Sequence, residues 1–143
     1  MTKALFYIEG KTVPVQHEGV RLIITKNLIH MGFTKGGAFN LPDGRVEVVL
    51  EGEKQKLIEA HKEVKENLLQ WMLQASNDRE KLKEKIWNPG VKVSDLEYNE
   101  NLLVLDIGLF AHSLTFDQIY KGVSVYKDLA MAIENLNKTF EKK

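Results

Sequence analysis

The segment of this chain with the most pointed chemistry is Val15-Gln16-His17-Glu18-Gly19-Val20-Arg21, which ends in an arginine where helical apolar spacing begins. Amides that lead into a helix lack intrahelical acceptors, the helix dipole adds partial positive charge, and a guanidinium offers a planar fork. That combination suits an anion, and phosphate in particular. Val15, Gln16, His17, Glu18, Gly19 and Val20 would form the loop, and Arg21 would bring the charge. The nearby Gly10-Lys11-Thr12 only imitates a P-loop: Leu5 stands where the motif needs its first glycine, and Val13-Pro14 follows where a helix must start. His17, His30, His61 and His112 show no metal-ligand spacing with one another or with carboxylates, so surface or core places are expected for them, with no metal and no cofactor. There is no cysteine, which removes disulfides, thiolate metal sites and the cysteine phosphatases.

The elements that must position this loop can be traced along the chain. Ala4 to Ile8 is an apolar run that reads as a buried strand, and Pro14 forbids a central strand in the loop behind it. Val20, Ile23, Ile24, Leu28 and Met31 recur at helical spacing, with Gly32 as the stop, so a helix is predicted over about 19–31. Thr34–Phe39 and Arg45–Leu50 flank Leu41-Pro42-Asp43-Gly44, whose Asp-Gly marks a hairpin. A long amphipathic helix follows from Glu53, with Leu57, Ala60, Val64, Leu68, Trp71, Met72 and Ala75 on one stripe, and should end by Trp87. Val91 to Glu97 alternates as an edge strand does. Strand, helix, strand, strand, helix, strand is the order of an α+β ferredoxin-like split βαβ sandwich, an antiparallel sheet with two helices on one face.

Length and composition set bounds on function. The 143 residues suit one core, and twenty Lys plus Arg balance twenty Asp plus Glu, so no net field draws in nucleic acid or an anionic membrane. The apolar run after Met1 breaks at Glu9-Gly10, too short for a leader or a membrane span, so a cytoplasmic protein is expected. Ferredoxin-like sheets can stack bases on exposed aromatics, and Phe6, Tyr7, Phe33 and Phe39 are the candidates here, though neutral charge speaks against a nucleic-acid partner.

VQHEGVR before a helix, then KGGAFNLPDGRVEVVLEGE before an amphipathic helix, resembles the acylphosphatase family, whose loop reads VQGVGFR and whose hairpin reads approximately GWVRNLPDGRVEVVAEG. The resemblance covers residues 3–98. It implies metal-free hydrolysis of acyl phosphates to a carboxylate and inorganic phosphate. It further implies that Arg21 grips the phosphate with the loop amides and that Asn40 positions the attacking water, although Asn40 could instead serve only the hairpin turn.

Aligned without gaps from Arg21, His17 replaces a loop glycine, Glu18 replaces a valine, and Val13-Pro14 takes the opening glycine and basic residue; alternatively Gly10 opens a longer loop. Pro14 brings no N–H, and Glu18 about 5 Å from a phosphate would oppose it by roughly 3 kcal/mol per unit charge at an effective dielectric near 20. The functional expectation is therefore an acylphosphatase-like hydrolase acting on a small acyl phosphate or binding inorganic phosphate. The alternative is a non-catalytic module of that fold for anion binding or protein association. Residues 99–143 lie beyond the resemblance. There Leu102–Leu105 could add a strand, and Tyr126, Leu129, Ile133, Leu136 and Phe140 form a seam at heptad spacing, expected to pack on residues 1–98 or to form a homodimer contact.

Overall fold

The computed structural model describes residues 1–10, 19–75 and 90–141, with side chains at all of these except 75, 118–129 and 139–141. Its elements are β1 (Thr2–Gly10), α1 (Val20–His30), β2 (Lys35–Asn40), β3 (Val46–Gly52), α2 (Lys54–Ala75), β4 (Val91–Val93), β5 (Glu97–Tyr98) and α3 (Ile107–Glu141). Contacts divide the chain into two compact units, Met1–Ala111 and His112–Lys143. The predicted continuation of α2 toward Trp87 lies outside the described residues.

The strands form one antiparallel sheet in the order β2-β3-β1-β4, with β5 pairing further along β1. This is the ferredoxin-like arrangement predicted above, with the first strand in the centre. The position of β1 explains its unbroken apolar run, because both of its faces are covered. Ala4, Phe6 and Ile8 join Val46, Val48 and Leu50 of β3 beneath Val20, Ile24 and Leu28 of α1 and Leu57, Ala60, Val64, Leu68 and Met72 of α2. Leu5 and Tyr7 point to the other face.

Local chemistry ends each element. Gly32, at φ 89°, donates to the Ile29 carbonyl at 2.9 Å while the Phe33 N–H reaches the Leu28 carbonyl at 3.1 Å. This Schellman cap ends α1 at the glycine, and Phe33 and Leu28 meet in the core behind it. In the hairpin, the Leu41 N–H donates to the Arg45 carbonyl at 2.8 Å and Gly44 turns at φ 94°. The Arg45 N–H and guanidinium both bind the Asp43 carboxylate, at 3.1 and 2.8 Å, which holds that carboxyl below its usual range. Beyond Asp43, the Arg45 guanidinium also sits 4.1 Å from the centre of the Tyr7 ring. Desolvation first, then Glu47 and Glu97, push the Tyr7 phenol above its ordinary value.

The predicted last strand is two short ones. At Ser94 the hydroxyl accepts from the Tyr7 N–H at 2.7 Å while the Ser94 N–H donates to the Tyr7 carbonyl at 2.8 Å, so a side chain replaces one rung of the ladder. The chain then bulges through Asp95-Leu96 before Tyr98 pairs with Ala4. His61 of α2 fastens this bulge, with its Nε2 2.7 Å from the Ser94 carbonyl and its ring edge-on to Phe6.

Leu102–Leu105 does not form the extra strand expected of it. It forms a strap across the face of the sheet opposite α1 and α2. Leu102 and Val104 cover Leu5, Val49, Tyr7 and Phe39, while Leu103 points to solvent. The Lys3 ammonium binds the Leu102 carbonyl at 3.0 Å, and the strap reaches the edge strand β2 where the Gly36 N–H donates to the Leu105 carbonyl at 3.0 Å. Its only ladder contact among the described residues is one bridge between Lys35 and Asp106. Because the segment lies over a face, it buries apolar side chains without strand partners. The first turn of α3 then closes on β2: Ile107 joins the main core, and Phe110 packs on Phe39 with ring centres 5.0 Å apart. Gly37 makes room for this, since a Cβ there would stand 3.3 Å from the Phe110 ring, while one on Gly36 would stand 3.1 Å from the Val49 carbonyl of the neighbouring strand.

Candidate active site

Pairing register brings the candidate residues to one end of the sheet. Ile8, near the end of β1, lies beside Val46, the first residue of β3, and Val46 lies beside Asn40, the last residue of β2. Helix α1 leaves its cap at Gly32 for the far end of β2, so it runs back along the sheet and opens at the end where Asn40 stands. Asn40 also shares the pleat of Gly36 and Ala38, the side on which α1 packs, because side chains alternate along a strand. Arg21 and Asn40, 19 residues apart in sequence, are therefore gathered at the same end and on the same face.

Gly19 caps α1 at φ 76° and ψ 16°. A Cβ there would meet nothing within 4 Å, so the left-handed backbone rather than crowding selects glycine. Among the described residues no side chain caps the helix, and its first turn holds no acidic residue, so the positive end of the dipole is not answered from within α1. Val20 buries its side chain in the core, leaving only its backbone to face a ligand. Arg21 is half-exposed, and its carbonyl accepts a 2.7 Å hydrogen bond from the buried Thr25 hydroxyl, which pins the turn that carries the guanidinium. The composition scan passed over Thr25, yet its place four residues after Arg21 is the spacing at which a hydroxyl bonds back along a helix. Val15, Gln16, His17 and Glu18 lie outside the described residues.

Asn40 is exposed, and among the described residues its side-chain amide makes no hydrogen bond. The turn is closed without it, by Leu41, Asp43, Gly44 and Arg45. An amide held at a strand end and unused by the neighbouring turn can orient a water molecule.

Comparison with known proteins gives one curated match: the acylphosphatase of Thermus thermophilus is 42% identical to this chain over 57 residues, which is 40% of this chain and 60% of that protein. Over that stretch the chain is similar to an acylphosphatase. It spans about 60% of the length of that relative, and no family model matches it. The crystal structure of an acylphosphatase from Bacillus subtilis aligns with 72% of this chain and 89% of its own at 20% identity, with a TM-score of 0.41.

Other features of the chain place the remaining candidates. Phe6 and Phe33 are buried, Phe39 is packed against Phe110, and Tyr7 lies under Arg45, so none of these four aromatics offers an open stacking platform. His61 is committed to the Ser94 bulge, and His112 packs edge-on to Phe116. Among the described residues no group of three His, Asp or Glu side chains is placed to hold a metal ion, and no helix is long and apolar enough to cross a membrane.

Proposed function

We propose that the chain hydrolyses acyl phosphates, with Arg21 holding the phosphoryl group and Asn40 orienting the attacking water. What supports this reading is that the first turn of α1, which carries Arg21, and the end of β2, where the hairpin closes without the Asn40 amide, lie at the same end of the sheet. In the proposed reaction the guanidinium binds two phosphoryl oxygens side by side, and the first-turn N–H groups of α1 and the loop amides add dipoles aimed at the same charge. The Asn40 amide oxygen accepts a hydrogen bond from the water and fixes its lone pair toward phosphorus. The water's oxygen forms the new P–O bond as the bond to the acyl oxygen breaks, the carboxylate departs with the electron pair, and the water's proton passes to the phosphate product or to solvent. A carboxylate is weakly basic, so no strong general acid is needed to expel it, and positioning with charge stabilisation carries the step. The test is hydrolysis of benzoyl phosphate by the purified chain with EDTA present. A rate well above the spontaneous one is expected, and a rate equal to it removes the enzymatic reading.

Glu18 and His17 favour a second reading, a non-catalytic module, because a carboxylate in the loop repels the anion that Arg21 attracts and a histidine replaces a glycine of the resembled loop. Exchanging both, His17→Gly with Glu18→Val, relieves that repulsion. Calorimetric titration of inorganic phosphate at matched ionic strength is then expected to show about tenfold tighter binding, the equivalent of only ~1.4 kcal/mol. Unchanged or weaker binding in the double variant assigns the loop to something other than an anion cradle.

A further inference from the structure

Residues 130–138 of α3 are all exposed in the single chain, and Met131, Ile133 and Leu136 show 63%, 51% and 55% of their surface. Large apolar side chains left in water along two turns of one helix mark a contact surface. Ile133 and Leu136 belong to the series Tyr126, Leu129, Ile133, Leu136, Phe140, which steps by three and four residues and so occupies the first and fourth places of successive heptads. We propose that this seam joins two copies of the chain as a two-stranded coiled coil.

The repeat itself argues for a second copy. A period of 3.5 residues keeps an apolar line facing a neighbour only when that neighbour is a helix with the same repeat, and a second copy of this chain has it by construction. β-Branched Ile133 at the first place with Leu129 and Leu136 at the fourth is the combination that favours two strands. The places flanking the seam are Ala130, Ala132, Asn137 and Thr139, so two copies bring no like charges together. Lys127, Asp128, Glu134 and Lys138 fall at outer places and cancel, which gives an anionic membrane surface nothing to attract.

Sedimentation velocity of the full chain, from low micromolar to near-millimolar concentration, tests the proposal. The apparent mass should rise from one chain to two. Ile133→Glu with Leu136→Glu should weaken the dimer at least about a hundredfold. Met131→Glu, more exposed but at an outer heptad place, should leave the dissociation constant within about twofold. Far-UV circular dichroism confirms that the helix persists, and Leu136→Ala, as a milder variant, reports the same contact should the double variant unfold. A chain that stays monomeric throughout, a dimer that survives the double substitution, or a dimer that Met131→Glu dissolves equally well would each overturn the assignment.

Discussion

Arg21→Ala is expected to bring benzoyl phosphate hydrolysis down to the spontaneous rate, a loss of at least about 10²- to 10³-fold, because removing one preorganised charge-stabilising group already costs that much. Arg21→Lys should recover only part of the loss: an ammonium keeps the charge but cannot present two parallel N–H groups to two oxygens. The backbone of the turn should tolerate both changes, since Thr25 binds the carbonyl of residue 21 and not its side chain. A thermal melt of each variant checks this. Asn40→Ala should lower kcat more than it raises KM, the mark of an interaction made with the attacking water in the transition state. If Arg21→Ala keeps most of the parent rate, the guanidinium is not at the reacting phosphate and the hydrolase reading fails with it.

The second large effect concerns stability. Ending the chain after Tyr98, where the resemblance to acylphosphatases stops, removes the strap, Ile107 and Phe110 together. Leu5 and Val49, 6% and 3% exposed in the intact chain, then lose their cover, and the room left by Gly37 is vacated. Burying one such aliphatic side chain contributes about 1.5–3 kcal/mol. Even after the entropy of ordering the strap is subtracted, the shorter chain should lose at least ~3 kcal/mol relative to one ending after Ala111. Urea denaturation of the two chains measures the difference directly. Equal midpoints would mean that the strap lies on the sheet without stabilising it.

Much of the sandwich is legible in the residues, because each boundary has its own local chemistry. Gly32 is the only residue near the end of the α1 pattern able to take a left-handed cap cheaply, and Asp43-Gly44 sits between two apolar arms. The stripe of α2 at Leu57, Ala60, Val64, Leu68 and Met72 matches the buried positions. The strap is less legible because a short apolar run such as Leu102 to Leu105 only asks for a surface to cover, and a segment over a face has that just as a strand does. Ser94 is harder still, since a serine hydroxyl that stands in for a ladder acceptor leaves no trace in apolar patterning. At the site, element order puts the first turn of α1 and the end of β2 at one end of the sheet. That the hairpin closes without the Asn40 amide depends on geometry alone, because asparagine before Leu-Pro-Asp-Gly is chemically able to do either. Gly36-Gly37 looks like an irregularity in a strand until Phe110, some seventy residues later, is seen to occupy the space that a side chain on Gly37 would need.

The strap also bears on the order in which the chain can finish folding. Its ammonium-to-carbonyl contact joins Lys3 to Leu102 across 99 residues of sequence, and the central strand is the first one synthesised. While the first hundred residues assemble, the second face of the sheet has nothing to cover it, and closing so long a loop is an entropic cost met only at the end. Leu5, Val49 and Phe39 are thus exposed together in any nascent or partly folded chain, and the edge strand β2 still has its Gly36 N–H unpaired. That interval, rather than the finished fold, is when this protein is most open to joining strands with a neighbour.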